Sequence, residues 1–195
     1  MKPFISVLFL SLLASCSNEA SVETAVDPSA SFLKQISIHC GKAFEGRVVS
    51  NDEVDSSFAS QQLVMHVREC TDDVIRIPFH VGDDHSRTWV ISSIDDGLRL
   101  KHDHRHEDGE EDSVTQYGGD SNSVTATRAE FPVDQYSIDM FNREGLTASV
   151  TNIWAVEITN EFFAYELRRE NRFFRVEFDL LQAVTPPPPP WGAAE

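Results

Sequence analysis

Basic residues are scarce in this 195-residue chain: 16 Lys and Arg stand against 32 Asp and Glu, a formal charge of −16. A phosphate backbone repels such a surface, and no Lys/Arg stripe offsets it, which excludes non-specific nucleic-acid binding. Charge-driven adsorption to an anionic membrane is excluded on the same ground. Cysteine is nearly absent. There are three, none in Cys-x-x-Cys spacing, so neither a thioredoxin-like redox site nor a zinc ribbon is supported. Long apolar runs are missing. Residues 4–13 are almost wholly apolar, but ten helical residues span about 15 Å, half of a hydrocarbon core of roughly 30 Å. Gly-x-Ser-x-Gly, His-Glu-x-x-His, P-loop and Gly-x-Gly-x-x-Gly patterns do not occur, and no internal repeat recurs at a fixed spacing. What is present is a hydrophobic fraction of 41% with 13 Phe, too apolar for a wholly disordered chain. A globular part of about 150 residues buries roughly two-thirds of its unfolded surface.

The start of the chain reads as an address. Lys2, the apolar run and the small residues after it fit a secretory signal. Leu13-Ala14-Ser15-Cys16 resembles the lipobox of bacterial lipoproteins. That resemblance implies cleavage before Cys16, lipidation of Cys16 and, from Ser17 at the next position, sorting to the outer membrane of a Gram-negative bacterium. An ordinary signal peptide cut nearby is the alternative. Loss of residues 1–15 removes only Lys2 among the charged residues, leaving 15 basic against 32 acidic residues and a charge of −17. The expected organisation is a signal at 1–15, a flexible tether at 16–31, a β-domain at 32–183 and a Pro-rich tail at 184–195. The tail, with five consecutive prolines at 186–190 and then Trp191, reads as a stiff solvated polyproline II terminus or as a ligand for an aromatic groove. With Cys16 set aside, Cys40 and Cys70 suit one disulfide in an exported chain; two buried free thiols are the alternative.

From Phe44 onward, apolar residues alternate with polar ones, and turn signals break the pattern every 8–12 residues. Ile75, Ile77, Phe79 and Val81 show it, as do Phe163, Tyr165 and Leu167, and Phe174, Val176, Phe178 and Leu180. Such strands have one buried and one wet face, which predicts antiparallel sheet. Strands are expected at 44–50, 62–70, 73–81, 87–94, 97–107, 110–117, 123–131, 148–158, 162–169 and 172–180. One helix is expected at 134–144, capped by Asp134, with Gly145 just past its end and an apolar stripe of Ile138 and Phe141. About 8–10 short-linked strands hide their edges best as an up-and-down barrel, so the fold class is an all-β antiparallel meander; a β-sandwich is the alternative. Residues 40–47, 97–109, Phe131-Pro132-Val133-Asp134 and Val176-Glu177-Phe178-Asp179-Leu180 resemble a family of bacterial secreted proteins of unassigned function, which implies no catalytic residue. The meander with late Phe-rich hairpins is also loosely similar to lipocalin-like (calycin) barrels, at fold level only.

The segment from Leu98 to Glu107 carries most of the functional content. Its odd positions, Arg99, Lys101, Asp103, Arg105 and Glu107, are all charged. Its even positions, Leu98, Leu100, His102, His104 and His106, begin apolar and become imidazole. If the leucines face the core, the histidines continue that face toward the barrel mouth. Asp108-Gly109 is a hairpin signal and predicts the pairs Glu107/Glu110, His106/Glu111, His104/Ser113, His102/Thr115 and Leu100/Tyr117, with Glu107 and Glu110 repelling across the turn. The candidate pocket is then His102, His104, His106, Glu111, Ser113, Thr115 and Tyr117. His104 with His102 or His106, plus a carboxylate such as Glu111, could also hold a divalent metal, because three histidines spread over roughly 13 Å of strand cannot easily all reach one ion. Solvated or structural histidines are the third reading. His66 and His80 are expected to point outward, and His85 to lie in a loop. The acidic run 107–112 does not have EF-hand spacing. Glu53, Asp55, Glu157 and Glu166 are expected to be surface groups. Three functions stay open: a lipid-tethered module binding a small ligand, a metal carrier or metal-dependent enzyme, and a structural envelope protein whose partner docks on a strand edge or on the tail.

Overall fold

The computed structural model describes residues 27–193. The expected signal, Cys16 and most of the expected tether lie outside the described residues. Twelve strands form one antiparallel sheet. They are β1 (Ala43–Val48), β2 (Leu63–His66), β3 (Glu69–Cys70), β4 (Val74–Val81), β5 (Asp84–Ile94), β6 (Gly97–His104), β7 (Tyr117–Asp120), β8 (Ser123–Val124), β9 (Arg128–Pro132), β10 (Ile153–Ile158), β11 (Phe162–Arg169) and β12 (Arg172–Val184). The path runs β7-β6-β5-β4-β2-β1-β12-β11-β10-β9-β8, with β3 attached to β4. The sheet is therefore two meandering arms joined where β1 pairs with β12. It curls into a half-barrel, as the alternation predicts, and this architecture is compatible with a lipocalin-like fold. The Asp95-Asp96-Gly97 turn falls where expected, between Ile94 and Gly97 of a β5–β6 hairpin.

The two arms meet at a pair of glycines. A Cβ on Gly119 would sit 1.8 Å from the Pro132 carbonyl oxygen, and one on Gly118 would sit 1.9 Å from that of Leu100. Only bare backbone lets β7 press between β6 and the end of β9. There the Asp134 amide donates to the Gly118 carbonyl at 2.9 Å. Helix α3 (Gln135–Arg143) follows at once, with the Asp134 side chain accepting from the Ser137 amide as its N-cap and Gly145 beyond its end at φ +75. Its buried side is Ser137, Met140 and Phe141, so the expected Ile138/Phe141 stripe is rotated. Ser137 Oγ seals the seam by accepting the Gly118 amide at 2.8 Å.

Helix α1 (Pro28–Ser37) was not foreseen; its first turn occupies positions expected to be tether. The Asp27 carboxylate accepts from the Ser29 amide, Pro28 stands in the first turn, and Phe32, Leu33 and Ile36 are buried. This is the i, i+1, i+4 face of a helix that packs on a core. Phe32 and Ile36 are fully buried in the same cluster as Ile75, Ile77, Leu98 and Phe131. Asp27 to Ser29 lie beside the β5–β6 turn, so α1 plugs that end of the half-barrel. Just past α1, Cys40 is bonded to Cys70, fastening the helix exit to β3.

The tail also departs from expectation. Instead of leaving the body as a solvated rod, it folds back across the outer face of the sheet. Pro190 is buried, the Trp191 amide donates to the His85 carbonyl at 3.0 Å, and residues 190–193 line a cleft with Pro78, Thr88 and Asp103. Replacing Phe32 with Ala is expected to lower unfolding free energy by about 3–5 kcal/mol in urea titrations. Lys34→Ala, on the exposed side of α1, is expected to change it by less than about 0.5 kcal/mol.

Candidate functional site

The inward face of β6 carries Leu98, Leu100 and His102, which are 0%, 0% and 3% exposed. His102 is a buried, neutral, fully hydrogen-bonded ring. Its Nδ1 lies 3.0 Å from the Tyr117 carbonyl oxygen and must donate to it. Its Nε2 lies 2.7 Å from the Tyr165 hydroxyl and accepts from it. The ring stacks on Tyr117, with centroids 4.4 Å apart. Burial holds its pKa down to about 3, with His104 adding a smaller push in the same direction. Burial drives the Tyr165 and Tyr117 hydroxyls well above the usual phenol range. His104 sits half-buried at the rim, its Nε2 3.0 Å from the Tyr117 hydroxyl. Burial and then the nearby Arg87 charge lower its pKa to about 4.

The predicted Asp-Gly hairpin register does not form. The ladder pairs His102 with Tyr117 and Leu100 with Gly119, two residues away from the expected partners. Glu107 and Glu110 are not paired across the turn; instead an isolated bridge joins Arg105 to Glu111. Residues 112–116 form an irregular loop in place of the expected strand. Thr115 Oγ1 accepts the His104 amide at 2.8 Å, and Gln116 takes a positive φ of 56. The slip separates the predicted pocket. His102 and Tyr117 face the interior and Thr115 is buried beside them. His106 is exposed, 4.0 Å from Asp112. Glu111 is turned outward, to Arg105 at 3.2 Å and Gln116 at 3.1 Å. Ser113 is exposed. The predicted metal set is therefore not assembled. Both His102 nitrogens are used, and among the described residues no three His, Cys, Asp or Glu side chains stand together as a metal site.

A cavity of about 160 Å³ opens between the two arms next to His102. Its walls are Phe58, Phe79, Trp89, Tyr165, Leu167 and Phe174, with His102 and Tyr117 on one side and Arg87, Arg172 and Asp55 at the lip. The aromatic rings form a continuous stack: Trp89 lies 4.5 Å from Tyr165 and 4.9 Å from Phe79, each near parallel at 15°. Larger grooves lie on the outside of the sheet, such as one of about 540 Å³ among Glu45, Glu161, Glu177 and Asp179. That groove sets its four carboxylates beside Phe162, Phe178 and Leu181. The interior cavity has the apolar walls and the few convergent polar groups expected of a ligand site.

A short lid covers the mouth. The 3₁₀ turn Glu53–Asp55 and helix α2 (Ser56–Ala59) bring Phe58 over the cavity, stacked 6.4 Å from Phe79 and tilted against Phe174 at 5.6 Å. Arg87 lies 5.7 Å above the Phe58 ring. Asp55, expected at the surface, is 3% exposed because Arg172 of β12 grips it, along with Asp52 at 2.7 Å. Glu166 is also corrected: it is 6% exposed, held on the outer face by Arg128 at 2.6 Å and by Arg175. His80 points outward as expected but is 2% exposed.

Sequence patterning placed His102 inside the fold and named Tyr117. It missed Trp89, Tyr165 and Phe174, although each lies on an alternating face, because the partner of each face comes from the other arm. A comparison with protein-family models, curated proteins and solved structures finds no match for this chain.

In the unfolded chain His102 protonates near its ordinary value of 6.5, and in the folded chain only near 3. Between these values the unfolded state holds the extra proton. His102 therefore leaves stability undiminished above pH 6.5 and lowers it as pH falls toward 3, by about 1.4 kcal/mol per pH unit. Urea unfolding at pH 6.5, 5.5 and 4.5 is expected to show this decline. His102→Gln should flatten the slope by about one proton; an unchanged slope would mean that His102 does not stay neutral in the fold.

Proposed function

We propose that this chain is an exported binding module that takes a small planar aromatic molecule into the cavity between its two arms. The observation that carries the reading is the aromatic stack beside His102. A space of about 160 Å³ is close to the roughly 150 Å³ of a cavity that admits benzene. Near-parallel Trp89, Phe79 and Tyr165 rings favour a flat guest. Arg87 and Arg172 at the lip suit a guest with one polar or anionic edge, although Asp55 beside them limits the net positive field. The curled meander is the arrangement in which lipocalin-like barrels hold small molecules, a likeness of fold that transfers no function by itself.

Export is supported by the Cys40–Cys70 bond, since disulfides persist in oxidising compartments. Among the described residues no helix is long and apolar enough to cross a membrane. The lipobox resemblance extends the reading to a lipoprotein anchored through Cys16 in a Gram-negative outer membrane, with the secreted-protein resemblance in keeping. Acyl chains contribute about 0.8 kcal/mol per buried CH₂, so two or three give stable anchoring.

Thermal unfolding of the purified chain with phenol, indole and benzoate tests the binding. A ligand at a hundred times its Kd should stabilise the fold by about 2.7 kcal/mol. Leu167→Trp, which fills the cavity, should abolish the shift. No shift with any planar probe would overturn the proposal. For the anchor, intact mass should show a mature chain starting at an acylated Cys16, and Cys16→Ser should release the protein from membranes.

A further inference from the structure

Three described histidine nitrogens are buried with no hydrogen-bond partner, and two of them, His66 Nδ1 and His80 Nε2, belong to the paired strands β2 and β4, away from the cavity. An unpaired buried polar atom calls for a specific explanation, such as an ion. The two rings are neighbours by register. β2 and β4 pair Val64 with His80 and Met65 with Phe79, so alternation puts His66 on the His80 face, one diagonal step away. Diagonal positions on antiparallel strands lie about 7–8 Å apart, within reach of long side chains.

His80 Nδ1 is already engaged, in hydrogen-bond contact with His85 Nδ1, and the Gly41 backbone beside His66 favours a proton on that ring. In the tautomers that donate through these contacts, His66 Nδ1 and His80 Nε2 both keep bare lone pairs. This is the pattern of metal-binding histidines, whose second nitrogen donates to a fixed partner. Arg68 acts on both rings and Asp84 on His80 alone, with Asp84 itself paired to Arg87. The tail passes beside the site where the Trp191 amide donates to the His85 carbonyl.

We propose that His66 Nδ1 and His80 Nε2 are ligands of a divalent metal of the zinc, copper or nickel class, the ions imidazole suits best. Among the described residues no third protein ligand is grouped there, so ligands that enter with the ion complete the coordination once the packing over the two buried nitrogens gives way. His85 acts as a positioning residue that fixes the His80 ring. The site shares no residue with the aromatic cavity and does not depend on the ligand reading.

Calorimetric titration of the chelator-treated full chain with Zn²⁺ and with Cu²⁺ tests this. One site per chain is expected. His66→Gln and His80→Gln should each remove it, and His85→Ala should weaken it by roughly tenfold or more. His104→Ala, at the cavity rim, should leave it unchanged. X-ray absorption of the loaded protein should show two imidazole ligands. Circular dichroism checks that each variant folds; His66 is half-exposed, so its variant carries the test if His80→Gln does not fold. No binding by the parent chain, or undiminished binding by folded His66→Gln, overturns the proposal.

Discussion

The interior depends on a single neutral imidazole that joins two arms of the sheet. His102 is on β6, takes the Tyr165 hydroxyl from β11 and gives its own proton to the Tyr117 carbonyl on β7. A buried polar ring is tolerable only when both nitrogens are satisfied, and here the two partners come from opposite sides of the half-barrel. Rings gather around that link: Trp154 lies 5.2 Å from His102, and Trp89 stacks on Tyr165. The cavity is the space this arrangement leaves between the stack and the lid. Its rigidity comes from the same contacts that keep the imidazole uncharged.

A chain so rich in carboxylates keeps its exterior together by arranging them around a few guanidinium groups. On the outer face of β9 to β12, Arg128 reaches Glu130, Glu157 and Glu166, and Arg175 reaches Glu157, Glu166 and Glu177. Arg168 adds a two-pronged contact to Glu130. Isolated surface ion pairs contribute little, but a connected lattice around a buried carboxylate such as Glu166 is costly to break at one point. The surplus negative charge is left to turns and loops, where water screens it.

Much of the fold was legible because period-two alternation is a local signal. The strands of the C-terminal arm, the β5–β6 turn and the Asp134 cap were read from neighbouring residues alone. The departures have non-local causes. Asp108-Gly109 does turn the chain, but the register beyond it is set by Thr115 holding the His104 amide and by the bare backbone of Gly118 and Gly119. Asp55 looked like a surface acid because its arginine lies 117 residues away; Glu166 did because its two arginines come from different strands, Arg128 38 residues off and Arg175 on the neighbouring β12. His80 alternates outward as read; its burial depends on what lies over that face, which alternation does not encode. Helix α1 was readable, with Asp27 capping, Pro28 following, and Phe32, Leu33 and Ile36 on one side. The polar composition just before it obscured that short pattern.

The plug gives the molecule a direction. Asp27 lies beside the β5–β6 turn, whereas Arg87, with the Phe58 ring of α2 against it, stands at the far end of that hairpin. The described chain therefore enters the fold at its stoppered end. The aromatic opening lies at the other end, clear of the plug.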